Sequence, residues 1–161
     1  MAEELFIPVD SSKEEKYRAI IPQMRALVEG EPNRIANVSN IIAVLKEAFG
    51  FWWQGVYMVE KDELVLGPFQ GPVACTRIAM GKGVCGTAWE KAESILVEDV
   101  EAFPGHIACS AASKSEIVVP IKQNEIVIGV LDVDSEFLSH FDETDKKYLE
   151  EVASIIAQVW K

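Results

Sequence analysis

The sequence is poor in cysteine, histidine, positive charge and long apolar runs, and each scarcity excludes a class of function. It holds three cysteines and two histidines in 161 residues, with no Cys-x-x-Cys pair. Cys75, Cys85, Cys109, His106 and His140 do not make the paired spacing of a zinc motif, so neither a metal nor a cofactor is expected. Lys and Arg number 15 against 26 Asp and Glu, a net charge of −11. Nucleic acids and anionic membranes both demand a basic footprint, so neither is an expected partner. No apolar run approaches the roughly 20 residues of a membrane span. The start, Met1-Ala2-Glu3-Glu4-Leu5, lacks the basic and apolar stretches of an export signal. With an odd cysteine count, this favours a cytoplasmic setting in which thiols begin free and any disulfide is transient.

The remainder reads as one α+β domain over residues 1–161. A chain of this length buries roughly 70% of its unfolded surface in a single core. Ser11-Ser12 before Glu14-Glu15 is a capping box opening a helix through Tyr17, Ile20, Ile21, Met24, Leu27 and Val28, with Pro22 as a kink or early break. A second helix fits Asn33 to Phe49, with Gly50 as its stop. Strands follow over Phe51–Val59, Glu63–Phe69 and Val73–Ile78, with a turn at Lys61-Asp62. Gly81-Lys82-Gly83 opens a short helix, and Ile95–Val97 is a brief strand. Asp99 to Ser113 is a long irregular loop, a type that is more often functional than ornamental. Glu116–Lys122 and Val127–Val133 form a hairpin, and Phe141-Asp142-Glu143 starts the last helix. This order implies a central antiparallel sheet with terminal helices packed on one face.

Each thiol sits in a small-residue segment, two of them beside glycine, proline or histidine, where a sulfur can be reached. Loop thiols on a rigid scaffold suggest redox chemistry. Gly81-Lys82-Gly83-Val84-Cys85-Gly86 matches G-x-G-x-x-G, but the chain lacks the alternating β-α-β order that a dinucleotide site requires. It reads better as a glycine-rich turn into a helix whose free amides can hold an anion. His106 and Cys109 are too close in sequence to stand as a nucleophile pair on that ground. Asp132 and Asp134 end an apolar strand on one face, because strand side chains alternate. Carboxylates so close repel and raise a pKa, which supplies a proton donor at neutral pH. Glu116 opens the neighbouring strand and can point into the same pocket. Trp53 and Tyr57 share a face of their strand; such aromatics are usually core and sometimes wall a ligand.

Taken together, these segments resemble a known family. Leu64–Gly71, Gly83-Val84-Cys85-Gly86-Thr87-Ala88, Gly105-His106-Ile107-Ala108-Cys109, Ser115–Pro120 and Ile128–Ser135 follow in the order seen in the GAF-domain free methionine-(R)-sulfoxide reductases. The resemblance spans nearly the whole chain, and the three-cysteine spacing sets it apart from a generic GAF match. Ser110 departs from the Asp that many members carry. The resemblance implies reduction of free L-methionine-(R)-sulfoxide through a cysteine sulfenic acid and a disulfide, with thioredoxin as final reductant. It implies attack by Cys109, resolution by Cys85 with Cys75 as alternative or relay, and an acid role for Glu116 with Asp134. Asp132 would hold the substrate ammonium, and amides near Gly83 or Ser110 its carboxylate. Trp53 would wall the S-methyl group, with Tyr57 beside it. A homodimer is expected from apolar positions left over in the first two helices. The rival readings are a GAF sensor that binds a small ligand without turnover and a thiol switch without a substrate pocket. Sensors normally belong to longer chains with an effector domain, and a bare switch leaves the carboxylates and Trp53 unused.

Overall fold

The computed structural model describes residues 4–107, 109 and 111–161. Helix α1 (Lys13–Val28) is opened by the Ser12–Glu15 capping box. It runs unbroken past Pro22, contrary to the expected break. Pro22 forfeits one i→i−4 hydrogen bond, and the burial of Tyr17, Ile20, Ile21 and Met24 holds the helix together around it. Helix α2 (Arg34–Phe49) is capped by Asn33 and stopped by Gly50, whose φ of 64° is the left-handed conformation that favours glycine.

Strands β1 (Trp53–Glu60) and β2 (Glu63–Gln70) pair as the expected hairpin. The third strand corrects the sequence reading, because β3 is only Arg77–Ala79 and Val73–Cys75 is irregular. The physical cause lies in the side chains that take this segment's carbonyls. Trp53 Nε1 donates to Pro72 O (3.1 Å) and Tyr57 Oη donates to Cys75 O (2.9 Å). Pairing resumes at Leu66 N to Thr76 O. Helix α3 (Gly83–Lys91) follows, then β4 (Ile95–Val97), a 3-10 turn, β5 (Ser115–Gln123), β6 (Ile126–Ser135) and α4 (Glu143–Val159).

The six strands are ordered β3-β2-β1-β6-β5-β4, and every pairing is antiparallel. One face, carrying Val56, Met58, Ile117, Val119, Leu131 and Val133, packs against α1, α2 and α4. Most apolar positions of α1 and α2 lie in this intrachain core, while Ile35 of α2 is exposed. Tyr17 Oη donates to the fully buried Asp145 Oδ1 (2.7 Å), and Lys13 Nζ pairs with Asp145 Oδ2 (2.6 Å), joining the first helix to the last. The opposite face carries Trp53, Tyr57, Val118 and Val130 beneath α3. Strand alternation therefore gives one face to the helical core and leaves the other for a site. No helix among the described residues is long and apolar enough to cross a membrane.

Candidate active site

The register of three adjacent strands builds the site. Asp134 of β6 stands opposite Trp53 of β1 and Glu116 of β5, and one pleat further along Asp132 stands opposite Gly55 and Val118. Trp53, Glu116, Asp132 and Asp134 therefore project from the face that α3 covers. They line a cavity of about 70 Å³ together with Tyr57, Cys85 and Cys109. The pocket thus gathers all the sequence-derived site residues except Cys75, which lies next to Ala74 of its wall and is bonded to Cys109. Glu116 and Asp132 are buried and Asp134 is half-buried.

Trp53 is held by backbone that only glycine can supply. A Cβ on Gly55 would strike the Phe69 side chain and come within 2.7 Å of the Trp53 ring. A Cβ on Gly71, where φ is +145°, would lie 2.5 Å from Trp53 Cδ1. The indole stacks on Phe69 (centroids 5.3 Å apart) and on Tyr57 (6.0 Å). The sequence reading did not connect these two glycines with Trp53; for Gly55 its place in mid-strand was the available signal, whereas Gly71 lies just beyond the end of β2.

The thiols divide in a way that differs from expectation. Cys109, in the long loop, is exposed and forms a disulfide with the half-buried Cys75, across 34 residues and a Cα–Cα distance of 5.6 Å. Cys85, expected on a reachable loop and as the bonding partner of Cys109, is instead buried in the first turn of α3 and free. Helix formation after Gly83 turns its side chain into the apolar layer beneath the sheet. Burial, then the neighbouring Asp132, pushes the Cys85 pKa up, so it stays a thiol.

All three carboxyl groups titrate well above their ordinary range. Burial is the first cause in each, followed by Asp132 for Glu116, Asp134 for Asp132 and Glu116 for Asp134. Ser113 Oγ donates to Asp134 Oδ1 (3.1 Å). Asp132 Oδ1 is buried and has no hydrogen-bond partner among the described residues. Burial and the same carboxylates also raise the Tyr57 phenol. The raised pKa values favour the protonated forms in this cluster, and one acceptor is left unsatisfied.

At the cavity's edge, α3 presents its N-terminus. Lys82 is the cap and supplies no side-chain cap bond, so the first-turn amides lack intrahelical acceptors. Lys82 and Gly83 line the cavity, an arrangement suited to a carboxylate. The G-x-G-x-x-G pattern has a local cause. Gly81 and Gly83 have positive φ, and a Cβ on Gly86 would meet Ala79 O at 2.5 Å. Ser110, the other amide named for a carboxylate, lies outside the described residues. Lys82, Ser113 and His106 join the lining without having been singled out for it. The fold also assembles a donor set that spacing could not reveal: Cys85 Sγ and one oxygen each of Glu116 and Asp132 lie within 4.8 Å of one another.

Comparison with known proteins gives consistent matches. The GAF domain family model matches residues 38–161. GAF domain-containing protein A of Dictyostelium discoideum is 55% identical over 97% of this chain and 99% of its own length. Free methionine-R-sulfoxide reductase of Escherichia coli is 43% identical over 92% of this chain and 90% of its own. The structure of free methionine-R-sulfoxide reductase from Neisseria meningitidis, in complex with its substrate, superposes with a TM-score of 0.94 at 52% identity. It covers 98% of this chain and 95% of that one.

Proposed function

This chain belongs to the GAF-domain free methionine-R-sulfoxide reductases, and from that membership we propose that it reduces free L-methionine-(R)-sulfoxide to L-methionine. The observation that carries this reading is one pocket lined by Cys109 of the Cys75–Cys109 disulfide and by the carboxyl groups of Glu116, Asp132 and Asp134, with an unpartnered Asp132 oxygen. Asp132 pairs with the substrate ammonium, and the α3 amides with Lys82 take its carboxylate. Trp53 and Tyr57 wall the S-methyl group. Glu116, with Asp134, holds the proton that the sulfoxide oxygen needs.

The Cys109 thiolate attacks the substrate sulfur while that oxygen is protonated. Oxygen passes to Cys109 as a sulfenic acid, and methionine leaves reduced by two electrons. The Cys75 thiol then attacks the sulfenic sulfur and expels water, forming the disulfide. This assigns resolution to Cys75, the alternative in the sequence reading, and leaves Cys85 out of the electron path. Thioredoxin, a cytoplasmic dithiol, returns the pair to thiols. A binding-only sensor has no use for a disulfide at its pocket wall.

The test couples NADPH oxidation, through thioredoxin reductase and thioredoxin, to methionine formation. Free L-methionine-(R)-sulfoxide is expected to turn over, and its N-acetyl and C-amide derivatives to lose about 10³-fold in kcat/KM, because each leaves a desolvated group unpaired. Comparable values for all three substrates refute the pocket assignment. Turnover with dithiothreitol but not thioredoxin removes thioredoxin alone. Binding without turnover under either reductant returns the sensor reading.

A further inference from the structure

We propose that Cys85, Glu116 and Asp132 form a binding site for a divalent cation of the zinc class, and that the bound ion blocks the amino-acid subsite. Cys85 is the buried nucleophile that the reduction leaves idle, since the disulfide joins the other two cysteines. Its Sγ and one carboxylate oxygen each from Glu116 and Asp132 converge within 4.8 Å. They come from α3, β5 and β6, three elements packed into one layer. The independent sign of a missing ligand is Asp132, only 6% exposed, lining the cavity with an Oδ1 that has no partner among the described residues.

The donor set selects the ion. Zinc bonds of about 2.3 Å to sulfur and about 2.1 Å to oxygen place tetrahedral ligands roughly 3.6 Å apart. A modest contraction of the present cluster reaches that separation. The sulfur disfavours magnesium and calcium, which take oxygen ligands, and favours zinc, cobalt or cadmium. Three protein ligands leave a fourth position open to the cavity. The ion then stands where the substrate ammonium would pair with Asp132, a consequence that rests on the function proposed above.

Oxidised, untagged protein isolates the site, because bridging Cys75 to Cys109 leaves Cys85 as the remaining thiol of the three. Cobalt(II) is the probe, and any thiolate-to-cobalt charge-transfer band in the near ultraviolet then originates at Cys85. One equivalent per chain is expected, displaced by zinc and not by magnesium. The band is lost in Cys85→Ser and Cys85→Ala, and affinity falls at least about 10-fold in Asp132→Asn. Two substitutions at Cys85, each checked by its circular dichroism spectrum, separate ligand loss from misfolding. No band at saturating cobalt, or equal binding in both Cys85 variants, overturns the site. Free methionine is expected to weaken cobalt binding. If calorimetry shows methionine bound and cobalt affinity unchanged, the blocking role falls. If methionine does not bind the oxidised protein, the blocking role falls, while the cobalt result still decides the metal site and the turnover assay above decides the function.

Discussion

Glu116→Gln tests whether the buried carboxyl cluster supplies the proton for oxygen departure. The substitution keeps the shape of the side chain and removes its acidic proton. Glu116 is 6% exposed, so bulk water cannot easily replace it as the acid. Positioned acids contribute about 10²–10⁴-fold. Asp134, paired across the strands from Glu116 and also held above its ordinary pKa, can take over part of the role. The expected loss is therefore in the lower half of that range, about 10²–10³-fold, or roughly 3–4 kcal/mol of activation free energy. The double variant Glu116→Gln/Asp134→Asn is expected to lose the rest.

The assay for Glu116→Gln is rapid-quench measurement of methionine from pre-reduced enzyme in a single turnover, with methionine binding measured separately by calorimetry. A rate within about threefold of wild type, or a loss accounted for entirely by weaker binding, would refute the acid role. Stability gives an independent check with a definite sign. The folded Glu116 pKa is raised, so folded protein retains a proton that the unfolded chain releases. Stability is accordingly unaffected below the unfolded carboxyl range near pH 4 and falls as pH rises through the folded pKa. The variant escapes this loss, so its melting temperature relative to wild type is expected to rise as the pH is raised above the unfolded carboxyl range.

Three further substitutions probe the thiols and the aromatic wall. Cys109→Ser is expected to abolish even the first methionine, whereas Cys75→Ser should release about one per chain and then stall, because sulfenic acid formation needs no second thiol; quantifying methionine in the burst distinguishes them, and the opposite pattern reverses the two roles. Gly55→Ala places a methyl group against Phe69 and Trp53. It is expected to cost about 1–3 kcal/mol in chemical denaturation and to raise KM for the sulfoxide more than it lowers kcat; an unchanged KM would show that Trp53 does not wall the substrate.

Much was legible in the sequence because it is local. The capping box at Ser12, the stop at Gly50 and the turn at Lys61-Asp62 depend on neighbours a few residues away, and the structure reproduces each. Strand alternation put Asp132 and Asp134 on one face, and the family resemblance named Glu116 and Trp53 as their companions. What the sequence could not contain was distance between residues far apart along the chain. Only the register of β1, β6 and β5 places Glu116 and Trp53 opposite Asp134. Only the Trp53 and Tyr57 hydrogen bonds hold Pro72 and Cys75 in an irregular segment, where Cys75 meets Cys109. Cys85 looked reachable beside its glycines, yet one turn of helix buried it against Asp132 and Glu116. Burial, the first cause of every raised pKa in the pocket, is a property of the packed layers and of no single segment, so the chemistry of these groups was decided by tertiary structure.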